Sequence, residues 1–475
     1  MNTKKGRKEA FDKMAHFKHY DGKILILGYG CIGTSLIPVL TKFVKIDLAN
    51  IYIIERDNWR FNNLESKFNK INKLNLEITK ENLENIIINI IGLKQDDIII
   101  DASYEIDTNS MYELCSKYGI SYTNSALEIW ELDPKEKNTS FTFYSRLKSI
   151  EDLDDKITDK KNNFIVSLGC NPGNVNIWAM YALKEINKLK NNFEYSSYAE
   201  LAYKMGLRVV HVSEKDSQIT NKPKKQNEYV NTWSSNGVSW YDEAFSYLEI
   251  SWGTHEKTIP EKLNLELTNE YENIIDKVGC ESYAKTYTPL NKNTIGMLIR
   301  HEETYTICRK LTIKDNSNNI IYKPSCYYIY SPCDSSVASI NEVKDKEKYQ
   351  DNRRLMTNDI IEGRDELGCT LFFEDGDIYW VGSLLDIEEA RELLNHEYDH
   401  LINATNMQVL GGYMGSIFYL IDNIKEKQYK GLLCPEEMPI DTFIKNTRPF
   451  FGEFGIYKVE DWKTEGLQFH NFRKN

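Results

Sequence analysis

A chain of 475 residues that is 41% hydrophobic and 27% charged has the composition of a globular protein, with length for more than one core-burying domain. Its net charge of −12 argues against nucleic acid as the main partner, which needs a basic footprint, and suits a cationic ligand. The nine cysteines are scattered, odd in number and without a CxxC pair, so a disulfide framework is not expected and a reducing, cytoplasmic setting is.

In chain order, the opening MNTKKGRKEAFDKM has no apolar run of the kind a secretory leader carries. The uncharged stretch from Ile24 to Thr41 contains glycines, hydroxyls and a proline, and reads as strand, turn and helix rather than a membrane span. Short β-branched runs then recur: KILIL (23–27), IYII (51–54), DIIID (97–101) and FIVSL (164–168). Segments of helical period separate them, such as ENLENIIINIIGL and TNSMYELCSKYG. Strands alternating with helices predict βαβ units and a parallel sheet, here an N-terminal domain over 1–170.

The first run ends in Gly28-Tyr29-Gly30-Cys31-Ile32-Gly33, a GxGxxG turn that opens the helical pattern TSLIPVLTKF. Gly28 permits the tight turn, Gly30 the approach of a pyrophosphate and Gly33 the packing of helix on strand. An acid, Glu55, ends the next run at about the 20-residue spacing at which such a residue accepts from ribose hydroxyls. This is the fingerprint of a Rossmann dinucleotide site. Glu55 favours NAD, since a carboxylate repels a 2′-phosphate, and Arg56 beside it leaves NADP open. Cys31, Ile32, Ser103 and Asn124 complete the candidate cofactor contacts.

From 171 Trp and Tyr become frequent, and NTIGMLIR and KPSCYYIY alternate as half-buried strands do. A second, mixed α/β domain is expected over 171–390. A C-terminal helical segment, 391–475, is expected to return toward the first domain. It carries His396-Glu397-Tyr398-Asp399-His400, an HExxH pattern that on a helix would offer zinc two histidines of one face. The metzincin continuation is missing from LINATNM, and Asp399 adds a charge where such sites are apolar, so no metal is assigned.

Beyond residue 160 the chain resembles the bacterial-type homospermidine synthases, relatives of saccharopine dehydrogenase. The segments that carry the resemblance are SLGCNPGNVN (167–176), HVSEKDSQ (211–218), NTW (231–233), WGTHE (252–256), IRHEETYTI (299–307), DELG (365–368) and NATNMQVLGGYMG (403–415). They keep order and near-constant spacing, and with the glycine loop the likeness runs to about residue 415.

The resemblance implies tightly bound, prosthetic NAD, a second domain for substrate binding and dimerisation, and a homodimer. It implies a reaction in which putrescine is oxidised to an imine, the imine exchanges ammonia for a second amine (putrescine or spermidine), and the stored hydride reduces the product. Such a site must hold a dication and shelter an imine from water. Glu105, Glu128 and Asp365 are the expected substrate-binding acids. Trp233 would present its face to a cation; Glu214, Glu243, His301 and Asn171 complete the expected catalytic set, with His301 as proton shuttle. Between Trp233 and Trp252 the chain is slightly longer than the family pattern, so Asp242 competes with Glu243. A reductive condensation enzyme of the carboxynorspermidine or saccharopine type is the main alternative; its carboxylated substrate would use arginines such as Arg208, Arg300, Arg353 or Arg364. A zinc peptidase is the other.

Overall fold

The computed structural model describes residues 3–130, 142–234, 243–258, 263–346 and 348–474. The chain packs into two units, Met1–Gly173 with Asn406–Met438, and Asn174–Thr405 with Pro439–Asn475. The tail read as one segment from 391 is therefore divided. Residues 406–438 join the first unit, and the last stretch gives the second unit its strand Glu453–Lys458.

The first unit is built on a seven-stranded parallel sheet in the order Gly431–Leu433, Asn163–Ile165, Ser121–Asn124, Ile98–Asp101, Ile24–Leu27, Ile51–Glu55, Asn72–Asn75. Ile24–Leu27 and Ile98–Asp101 are buried at every position, as strands covered on both faces must be. Burying each of their isoleucines is worth about 1.5–3 kcal/mol. From Ile24–Leu27 the chain moves outward through Ile51–Glu55, and the later strands fill the other side. The strand order thus reverses between Ile24–Leu27 and Ile98–Asp101. In open α/β sheets the crevice at the carboxyl ends of two such strands is where ligands bind. Residues 85–90, expected as an ordinary helix, wind as a π-helix.

The second unit centres on a ten-stranded mixed sheet. Its long strands Leu207–Asp216, Ser325–Ser331, Arg364–Phe373 and Ile378–Asp386 lie at the middle. Side chains alternate between the two faces of a strand. One face carries the main apolar core, including Val209, Tyr327, Ile329, Phe372, Trp380, Phe469 and Phe472. Alternation sends Glu214, Asp216, Tyr328, Tyr330 and Asp365 to the opposite face. The helix Asn174–Lys190 covers part of that face, where Cys369 Sγ donates to the carbonyl of Val175 at 3.3 Å.

The helix expected through His396 does not form. The helix Ile387–Leu393 ends, and Asn395 and His396 take left-handed φ values of 56° and 59°. A left-handed residue just past the last turn closes a helix, so residues 394–401 run as turns. His396 and His400 are not one helix face, and His396 Nδ1 instead lies 3.2 Å from Asp399 Oδ2. Among the described residues no helix is long and apolar enough to cross a membrane.

Candidate active site

In the first unit the glycine loop is shaped by backbone contacts. Gly28 has φ 83°, and a Cβ there would stand 2.7 Å from the carbonyl oxygen of Ala102. A Cβ on Gly33 would meet the carbonyl oxygen of Gly28 at 2.1 Å, so the turn closes only with glycine. Gly30 caps the helix Cys31–Phe43, whose first turn carries no acid. Its N–H groups and dipole favour an anion, so this cradle fits the pyrophosphate of a dinucleotide. Cys31 and Ile32 form the first turn. Burial pushes the Cys31 thiol up to about 12, so it stays neutral.

Glu55 is 8% exposed and does more than end its strand. Its carboxylate accepts from Tyr29 N–H at 2.7 Å and from Asp57 N–H at 2.9 Å, tying the loop to the neighbouring strand. Carboxylate oxygens accept more than one bond each, so the same group remains suited to ribose hydroxyls.

Past the strand Ile98–Asp101, Ser103 donates its hydroxyl to Asp101 Oδ1 at 2.5 Å. Tyr122 donates to Asp101 Oδ2 at 2.8 Å, Asn124 Nδ2 donates to Tyr122 at 3.1 Å, and Asn124 Oδ1 accepts from Ser167 N–H at 2.8 Å. Asn124 is thus committed inside the sheet and supports the strand ends. Burial raises the Asp101 carboxyl, which Ser103 and Tyr122 partly offset.

Glu105 follows with φ 66°, a left-handed value rare outside glycine. Glu128 accepts through its backbone carbonyl from Thr108 N–H at 3.0 Å, which holds it at the start of the helix Thr108–Tyr118. Asn171 sits in a turn whose ends meet, Gly169 N–H donating to the Pro172 carbonyl at 3.0 Å. Gly412 packs against that turn so closely that a Cβ would lie 2.0 Å from the Gly169 carbonyl oxygen.

In the second unit Glu214, Trp233, Glu243, His301 and Asp365 are linked into one cluster. Tyr328 donates its hydroxyl to Glu214 Oε2 at 2.6 Å. The Tyr328 ring lies 4.9 Å from the His301 imidazole and 5.9 Å from Tyr330, and Tyr330 meets Trp233 edge to face at 5.7 Å. Trp233 follows the strand Glu228–Asn231, and the Asn231 side chain accepts from Trp233 N–H at 3.0 Å and Ser234 N–H at 2.8 Å. The turn is a side-chain-capped one of the kind asparagine favours.

His301 precedes the helix Glu302–Lys310. Its Nδ1 is 2.7 Å from Glu303 Oε2, and its Nε2 is 3.7 Å from Glu243 Oε1, an ion-pair rather than a hydrogen-bond distance. Burial would lower the imidazole, but Glu303 and Glu243 outweigh it and hold His301 well above its ordinary value. Asp365 is fully buried; burial first, then the charges of Glu214 and Asp216, raise it well above the carboxylate range. Asp242, the competitor of Glu243, lies outside the described residues.

Four groups of this cluster escaped the sequence reading: Asp216, Glu303, Tyr328 and Tyr330. Asp216 stands two places from Glu214 in HVSEKDSQ, and the period of two was the signal that would have put both on one strand face. The tyrosines belong to KPSCYYIY, where the same alternation applied.

Two of the four arginines that the alternative would use are held in ion pairs. Arg300 Nη2 is 3.0 Å from the fully buried Glu249, and Arg208 Nη2 is 2.6 Å from Glu374. Arg353 lies on an exposed strand position.

Comparison with known families matches residues 24–165 to the saccharopine dehydrogenase NADP binding domain and residues 169–455 to the saccharopine dehydrogenase C-terminal domain. The chain belongs to the saccharopine dehydrogenase family. Within that family it is similar to the homospermidine synthase of Legionella pneumophila, whose crystal structure was determined in complex with NAD. The two share 30% identity, with 96% of this chain and 98% of that one covered at a TM-score of 0.84. Homospermidine synthases of Mesorhizobium japonicum and Blastochloris viridis are 25% and 24% identical. They cover 97% and 94% of this chain, and 99% and 93% of their own lengths.

Proposed function

We propose that the protein is a homospermidine synthase that joins two putrescine molecules, or putrescine and spermidine, with release of ammonia and no net redox change. The observation that carries this is a cluster in the second unit: Glu214 and Asp365 share one face of the sheet, Tyr328 and Tyr330 of that face meet His301 and Trp233, and Glu243 lies 3.7 Å from His301. Carboxylates suit ammonium ends, and an aromatic face suits a cation between them. The family likeness, over nearly the whole chain, supports the same reading.

NAD, held at the glycine loop by the N–H groups of the helix Cys31–Phe43 and by Glu55, would supply the hydride acceptor and donor. The residues do the rest. Asp365 and Glu214 hold one ammonium end. Trp233 faces the cationic carbon and nitrogen of the imine. His301, between Glu303 and Glu243, moves the proton that amine exchange requires. Glu105, Glu128 and Asn171 are further candidates for contacts to substrate or nicotinamide on the strength of the family likeness alone. Glu55 with its bonds to the loop selects NAD. A homodimer is part of the proposal. So is a reducing, cytoplasmic setting, with which nine buried cysteines outside any disulfide agree.

Purified protein given putrescine and catalytic NAD is expected to form homospermidine and ammonia. Trp233→Leu should lose most of the rate, since a desolvated cation over Trp is worth about 2 kcal/mol, or roughly thirtyfold, while Trp233→Phe keeps part of it. Stoichiometric NAD(P)H consumption with an aldehyde would instead establish the condensation enzyme and sink the proposal.

A further inference from the structure

Asp216 has no part in the reaction as set out above, yet it is tied into the site from several sides. The strand Leu207–Asp216 runs antiparallel to Arg364–Phe373, and their register sets Asp216 directly opposite Asp365. Both are 0% exposed. Like charges directly across a strand pair repel, and burial adds to the cost of each. Such a pair persists only where donors, a proton or a cation compensate.

The donors form a ring. Asp216 Oδ1 accepts from the Gln218 backbone N–H at 2.9 Å and from Gln218 Nε2 at 3.1 Å. Gln218 Nε2 also donates to Thr405 Oγ1 at 3.2 Å, and Thr405 donates its hydroxyl to Asp365 Oδ2 at 2.8 Å. Gln218 Oε1 accepts from Ala404 N–H at 3.0 Å, which fixes the amide. The path from Asp216 through Gln218 and Thr405 to Asp365 closes across the strand register. On its other oxygen Asp216 accepts the Thr232 hydroxyl at 2.7 Å, next to Trp233. Both oxygens of Asp216 are thus occupied by protein donors, and its effect on a ligand passes through its neighbours.

We propose that Asp216 is a positioning residue of the diamine site that acts through Asp365: the ring orients the Asp365 carboxylate, and the charge opposite it sets how readily that carboxylate holds a proton. The inference rests on the diamine reading above. The groups that bear on the pair are Glu214 and Lys215 from the same strand as Asp216, Glu366 and Arg364 beside Asp365, and Tyr330 and Cys333 from the next element. The strand on the far side of Asp365 offers only Leu385. Asp365 is raised by burial, then by Glu214 and Asp216, and drawn back by Thr405. Removing the Asp216 charge therefore eases ionisation of Asp365, and removing the Thr405 donor hinders it.

The test follows kcat and KM for putrescine against pH in Asp216→Asn, Thr405→Val and Thr405→Ser, with thermal unfolding recorded for each. Asp216→Asn should move the acid limb of kcat/KM down by about one pH unit, and Thr405→Val should move it up by a similar amount. Thr405→Ser keeps the donor and should match the parent. A merely structural role would not shift two variants of one ring in opposite directions. Shifts of the same sign, or an unmoved limb in folded Thr405→Val, overturn the proposal, and the Thr405 pair decides alone should Asp216→Asn not fold. If the parent joins no diamines, the functional reading fails separately. The ring is then judged by infrared titration of the protonated carboxyl, assigned as the band lost in Asp365→Asn, where the same opposite shifts are required.

Discussion

At the scale of single residues the site depends on charges that burial makes expensive. His301 shows how the sign works out. Its folded pKa is held well above 6.5 by Glu303 and Glu243 against the effect of burial. A group raised on folding adds stability that is fully present below its unfolded pKa and is lost as pH rises through the folded value. Stability should therefore fall on the alkaline side of pH 6.5, and His301→Gln should flatten that fall. Glu303→Gln removes the 2.7 Å partner and should bring the imidazole back toward its ordinary range. An imidazole titration by NMR checks this; an unmoved His301 resonance would refute the pairing. His301 and Trp233 could be named as candidates because they stand in the motif series that carries the resemblance. Glu303 was not, because nothing in IRHEETYTI says which of its two glutamates turns toward the histidine. That depends on how the helix Glu302–Lys310 is entered.

Among elements, the glycine loop was the most legible because its demands are local. A strand, a turn with φ 83° at Gly28 and a helix start follow one another within a few residues. Gly33→Ala would drive a Cβ to 2.1 Å from a backbone carbonyl, which cannot yield as a flexible side chain would. The variant should lose retained NAD while the second unit keeps its own unfolding transition. Absorbance of the extracted nucleotide and calorimetry measure the two. Retention equal to the parent's would rule out this placement of the cofactor. Elements whose form depends on their ends were read less well. HExxH has a helical spacing, but the preceding helix ends at Leu393, and Asn395 and His396, the pattern's own first residue, turn left-handed. The run NIIINI shows a helical period and does not disclose that its backbone bonds skip one residue further.

For the molecule as a whole, cofactor and stability are linked. A ligand that binds only the folded chain adds RT ln(1 + [L]/Kd), about 4 kcal/mol at a thousandfold excess over Kd. Stripping NAD should therefore lower the melting temperature of the first unit's transition by roughly ten degrees, and adding NAD back should restore it. Calorimetry before and after stripping provides the measurement, and coincident traces would contradict a prosthetic cofactor. The sequence by itself determined the parallel sheet and the dinucleotide loop, because strand period and glycine geometry are properties of neighbouring residues. Tertiary structure alone decided that Asp216 stands opposite Asp365, that Tyr328 joins Glu214 to His301, and that the tail after 438 returns to the second unit. Those follow from strand register and packing between segments far apart in the chain, where a shift of one residue would send each side chain to the other face.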